Sequence, residues 1–294
     1  MATNSTGWQN AQEALRGTTA PSFSKVWWVD ASATSNGATG GYYPNFPANT
    51  LTVAQSLTTV GRGDVVYVGP SHTESVVGAA GITLSVDDVF YVGIGTGLAR
   101  PIITFSTSIA AQMVISGSGI VIRNMVFDCT GIDAITAAIK VTGANVAFED
   151  CEFITNTGTA GCVLGILTAA TATRFRVERC RFTGPAVNSG TTTTAQIKHE
   201  VGADYVIKDN YFAGKTTNAI LNATTVLRGL IDNNRIVTTG TAAINMAAAS
   251  TPFISNNRMN VASGTAPIVA AAGFGAGNVY SAAAGVTAGT AATF

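Results

Sequence analysis

The chain has 294 residues, of which 11% are charged, with 16 basic side chains against 16 acidic ones. That density lies far below the roughly 25% of an ordinary globular domain, and zero formal net charge removes the electrostatic case for binding nucleic acid or an anionic membrane. No run of about 18 apolar residues occurs, so no membrane-spanning helix is predicted despite the positive mean hydropathy.

Residues 1–25 lack strand periodicity and are rich in Thr, Ser, Asn and Gln, which predicts an N-terminal arm. Trp8 and Leu15 give that arm apolar groups to bury on a neighbouring subunit. The same stretch has no apolar core of the kind a secretory signal needs, so no export is expected. A second segment, 26–62, opens with the strand KVWWVD and continues into a turn-rich loop from Ser32 to Asn49. Tyr42, Tyr43 and Phe46 in this loop are candidate contact residues, able to pack on the body of the protein, on a partner or on sugars. Leu51, Ala54 and Leu57 then fall at helical spacing, which predicts a short helix that covers an otherwise open first coil.

Residues 63–260 are organised by a repeat. Six segments share one pattern: IVIRNMVF, VAFEDCEF, FRVERCRF, YVIKDNYF, GLIDNNRI and PFISNNRM. Aligned on Ile122, Phe148, Val177, Ile207, Ile231 and Ile254, they recur every 26, 29, 30, 24 and 23 residues. A repeat of this length marks a stacked architecture. The alternation within each segment, and the Asn-rich bend that interrupts it, specify strand, tight bend, strand rather than helix. Upstream, GDVVYVGP and VFYVGIGTG place Val68 and Val92 in phase with Ile122, which makes about eight coils. At about 4.8 Å per coil the core would be roughly 40 Å long. The predicted fold is all-β, a single-domain parallel β-helix, right-handed because such crossovers are strongly favoured. Residues 261–294 read as a last narrow coil around Phe274, Gly277 and Val279 and an Ala/Gly-rich tail that lies against other chains.

The alignment also sets side chains opposite one another. Asp150, Arg179 and Asp209 share a column, and Glu152 lies beside Arg181, so these charges read as staples that fix the register of the coils. Glu149 and Glu178 share another column, flanked by Arg123 and Lys208. Two carboxylates about one strand spacing apart are also what a retaining glycosidase uses, which makes Glu149 and Glu178 the weak catalytic alternative to a salt ladder. Asn210, Asn234 and Asn257 form a structural column in which amides tolerate a left-handed bend and bridge coil to coil. Cys151 and Cys180 replace them upstream as buried, stacked thiols. Neither Cys129 and Cys162 nor the two histidines offer metal-ligand spacing, Asp87 and Asp88 lack further carboxylates in register, and no metal or cofactor is expected. His72 and Glu74 are expected to cap or tie down a loop.

The stretches GDVVYVGPSHTESV and VFYVGIGTGLARPIITF resemble the opening coils of pectate-lyase-like parallel β-helix proteins carried in tailed-phage virions, and the resemblance covers about residues 26–260. It implies a virion protein made in the bacterial cytoplasm. With the neutral composition, the arm and the tail, the expectation is a non-enzymatic capsid decoration or cement protein. It would assemble as a homotrimer on the major capsid protein or other virion proteins at the capsid surface, with host surface glycans as further partners. The alternative is a tailspike-like or carbohydrate-active enzyme, a polysaccharide lyase or glycoside hydrolase, or a passive glycan-binding head protein.

Overall fold

The computed structural model describes residues 24–33, 40–157, 159–184, 193–200, 202–224, 226–240, 242–246, 250–261, 266–269 and 274–282. The arm with Trp8 and Leu15, and the tail beyond residue 282, lie outside the described residues. The chain winds as a parallel β-helix whose strands form three sheets, of 11, 9 and 8 strands. Each full coil crosses sheet 1 (the 11-stranded sheet), turns a tight bend into sheet 2 (nine strands), and returns through sheet 3 (eight strands). All ladders between strands are parallel, with each strand paired to its counterpart one coil away.

Alternation along each short strand sends one set of side chains inward. Sheet 1 contributes Val66, Tyr91, Ile122, Phe148, Val177, Ile207, Ile231 and Ile254, all buried and in register. Sheet 2 contributes an aromatic stack, Phe127 to Phe153 at 5.0 Å, Phe153 to Phe182 at 4.4 Å and Phe182 to Phe212 at 4.8 Å between ring centroids. Such ring pairs contribute about 0.5–1.5 kcal/mol each beyond their burial. Sheet 3 closes the core with Met113, Ile139, Ile166, Ile197, Ile220 and Ile244.

The phase expected for the first coils is corrected. Ile122 pairs with Tyr91, not Val92, and Tyr91 with Val66, not Val68. The reason lies in the connection that follows Phe90–Gly93. It runs through Gly95 at φ 115° and a 3-10 turn at Gly97–Ala99 before the next strand, instead of through one bend residue, so counting back from the bend misplaces this strand by one residue, and the strand before it is misplaced by two.

The predicted short helix, α1 (Leu51–Leu57), begins at an N-cap where Thr50 Oγ1 accepts from Val53 N at 3.2 Å. Glu74 Oε2 accepts from Leu51 N at 2.9 Å, so this glutamate ties the first coil to the helix N-terminus. Leu51 and Ala54 are buried, and Gln55 Oε1 accepts from Ser85 N at 2.6 Å, beside Ile82–Leu84, the edge strand of sheet 3. The helix therefore shields apolar core and satisfies an edge amide. At the other end, Phe274–Ala276 and Val279–Ala282 add one more strand to sheets 1 and 2.

A charged corner between sheets 1 and 2

The bend from sheet 1 to sheet 2 repeats one backbone device. Asn124, Asp150, Arg179, Asp209, Asn233 and Asn256 all sit at φ between 51° and 59°. Asn and Asp tolerate this left-handed conformation better than other side chains with a Cβ. The ladder asparagines come one residue later, so the left-handed role assigned to Asn210, Asn234 and Asn257 is corrected: they point inward from the residue after the bend. Asn210 N donates to Asn234 Oδ1, Asn234 N to Asn257 Oδ1 and Asn257 N to Asn278 Oδ1, each at 3.0 Å. Each Nδ2 in turn reaches a carbonyl of the preceding coil, Val177, Ile207, Ile231 and Ile254, at 2.9 Å. Asn278 extends the column by one coil beyond the sequence reading.

Cys180 continues it upstream, its N–H donating to Asn210 Oδ1 at 2.8 Å and its thiol lying 3.5 Å from Phe148 O. Cys151 makes the equivalent thiol contact with Ile122 O at 3.5 Å. All four cysteines are buried and free. Burial, with Cys151 alongside, pushes the Cys180 thiol up, and contact with Cys162 together with burial does the same to Cys129. Cys180 and Cys129 are thus held as neutral packing groups.

Outward from the bend the charges gather. Arg179 Nε lies 2.8 Å from Asp150 Oδ1. Asp209, the third member of that column, instead accepts from Asn233 Nδ2 at 2.6 Å and lies 3.9 Å from Lys208 Nζ. Glu152 meets Arg181 only at 3.8 Å, while its tight partner is Arg100, 52 residues earlier in the chain. Glu149, 7% exposed, pairs closely with Arg123 and is approached by Arg176 and Arg179, each at 3.4 Å. Glu178 sits opposite Glu149 in register and shares the same two arginines, at 3.5 Å and 3.4 Å. Five arginines thus surround four carboxylates, Glu149, Asp150, Glu152 and Glu178. The bond to Asp150, against the cost of burial, holds the Arg179 guanidinium well above its ordinary range.

Arg100 and Arg176 were not legible as partners. Arg176 belongs to the neighbouring outward column, opposite Ala147, and leans across to Glu149, while Arg100 reaches in from a loop. Chemically, both oxygens of Glu149 are engaged by guanidiniums, so a substrate group would have to displace an arginine to reach it. Glu178 is the more open carboxylate, with 21% of its side chain exposed.

Tyr42, Tyr43 and Phe46 do not join this corner. Their loop packs on the first strand, Tyr42 against Trp27 at 4.6 Å, four strands along sheet 1 from Glu149, and leaves Phe46 69% exposed. No group of three metal-ligating side chains occurs among the described residues.

No protein-family model and no curated protein matches the chain. Solved structures do. A structure titled pectate lyase Pel9A superposes with a TM-score of 0.56 and 10% identity over 87% of this chain and 80% of that one. A rhamnogalacturonan lyase superposes with a TM-score of 0.52 and 11% identity over 80% and 74%. The chain has the pectate-lyase-like parallel β-helix fold. The expectation that it is not an enzyme is thereby corrected, because the fold that supported a purely structural reading is the one on which these two lyases are built.

Proposed function

We propose that the chain is a carbohydrate-active β-helix protein that engages and cleaves an acidic polysaccharide along the corner between sheets 1 and 2. The observation that carries this reading is the collection of Arg100, Arg123, Arg176, Arg179 and Arg181 around Glu149, Asp150, Glu152 and Glu178, in a chain with only 16 basic residues. Guanidiniums bind planar oxyanions in a bidentate way, so such a corner suits a sugar carboxylate, and the neighbours' names, pectate lyase and rhamnogalacturonan lyase, point to the same class of polymer. Glu178 is the carboxylate we assign to proton transfer, and Glu149 the group that holds the arginines in place. The test is viscosity loss and release of unsaturated ends from polygalacturonate and rhamnogalacturonan. Glu178→Gln should abolish both with the circular dichroism spectrum unchanged, and failure of the parent protein to shorten either polymer would overturn the reading.

A second reading, that the protein decorates a tailed-phage capsid as a trimer, is favoured by a different observation. The other outward column of sheet 1 is apolar except at Arg176, and Val26, Phe90 and Phe253 are 43%, 41% and 48% exposed. A face of this kind suits burial against another protein. Display on a capsid surface would bring the charged corner to host glycans. A monomer by light scattering that never associates with capsids would sink this second reading.

A further inference from the structure

The outer face of sheet 2 changes character towards its C-terminal end. Its outward column runs Arg181, Tyr211, Arg235, Arg258 and Val279, one residue per coil. Upstream in this column, Arg181 is answered by a carboxylate, Glu152 at 3.8 Å. Arg235 and Arg258 are directly opposite one another, both exposed, and neither has a carboxylate within salt-bridge distance among the described residues. Like charges in register on adjacent strands destabilise a sheet. This pair therefore has a standing reason to take up an anion.

Two further features shape the place. The Tyr211 ring lies between Arg181 and Arg235, with their guanidinium carbons 5.5 Å and 5.4 Å from its centroid, which holds the Arg235 stem against its coil. Beside Arg235 and Arg258 opens a groove of about 260 Å³, walled by Val237 and Val279 and carrying the Asn260 amide. Cation pair, apolar wall and amide are the complement of a sugar ring that bears an oxyanion. Its C–H face can lie on valine, its oxyanion on the guanidiniums and a hydroxyl on the amide.

We infer that the groove on sheet 2 between Arg235 and Arg258 binds an acidic sugar unit of a glycan chain, separately from the corner at Glu149. The inference rests on the polysaccharide reading above and adds to it a second contact, two or more coils further along. Equilibrium binding to polygalacturonate (carboxylate), dextran sulfate (sulfate) and neutral dextran tests it. The parent should bind one or both acidic polymers and not dextran, and the preferred polymer identifies the oxyanion. Arg235→Gln and Arg258→Gln should each weaken binding about tenfold, and Arg228→Gln, at the far corner of sheet 1 and paired with Asp204, should not. Unchanged affinity in both groove variants would overturn the groove while leaving cleavage at the corner standing. Equal weakening by Arg228→Gln would reduce it to charge alone and overturn it too. Loss of cleavage by the parent protein, with groove binding retained, would instead remove the corner's activity and not this site.

Discussion

Asn234 shows how much one side chain does in this fold. Its Oδ1 accepts from Asn210 N, and its Nδ2 donates to Ile207 O and to Asn257 Oδ1, all at 3.0 Å or less and all buried. Asn234→Ala strands a buried amide and a buried carbonyl, each worth about 1–3 kcal/mol. The variant should lose roughly 3 kcal/mol or more in urea unfolding, whereas Asn233→Ala next to it, exposed at the bend, should lose much less. His199 offers a test of a different kind. It is fully buried in sheet 3 beside Thr168 and Tyr205, and burial holds its imidazole down at about 4. As pH falls below the ordinary value of about 6.5, the unfolded chain takes up a proton that the folded chain refuses, so stability declines between about 6.5 and 4, by about 3 kcal/mol. Asp64 acts in a lower window. Burial would raise its carboxyl, but Arg62 and the Lys25 and Thr59 amides outweigh that and hold it below its usual range, so its contribution is intact above about 4 and is lost only beneath it. Urea midpoints from pH 7 to 4.5 should fall for the parent and stay nearly flat for His199→Leu; parallel curves would refute the assignment to His199.

Single elements explain where reading the chain succeeds and where it slips. The helix α1 was legible because Leu51, Ala54 and Leu57 recur at its period, but its task at the edge was not, since Gln55 reaches Ser85 across 30 residues. Gln55→Ala should leave the Ser85 amide open, with faster hydrogen exchange there and earlier proteolysis of the first coil at a cost of about 1 kcal/mol. Protection at Ser85 equal to that of the parent would rule out the edge cap. The sheet 1 and sheet 2 strands were legible because doublets such as Asp209-Asn210 and Asn233-Asn234 mark both the left-handed bend and the inward amide. Asn278 escaped because Gly277, at φ 70°, takes the bend position in the last coil and removes the doublet. Tyr91 was read one place out because the Gly-rich connection after it has no such doublet to count from. Column logic finds partners that face each other in register. It does not find Arg100 or Arg176, whose long side chains reach diagonally into the corner from other positions.

On the scale of the whole molecule, the three sheets divide the work. Sheet 3 carries buried polar groups inward, sheet 1 has an outer column that is apolar except at Arg176, with exposed Phe90 and Phe253 towards its opposite ends, and sheet 2 turns its arginines outward. Because each coil contacts mainly its neighbours, a change on one outer face is transmitted weakly to another. Self-association and glycan binding should therefore separate by mutation. Phe90→Asp combined with Phe253→Asp places charge in the apolar column of sheet 1 and should move an associated species to the monomer in sedimentation, while its affinity for the acidic polymer stays within about twofold. Arg235→Gln combined with Arg258→Gln should do the reverse, weakening polymer binding without altering sedimentation. If the phenylalanine pair instead removed polymer binding along with assembly, the glycan site would be shared between subunits, and the division of faces argued from a single chain would be wrong.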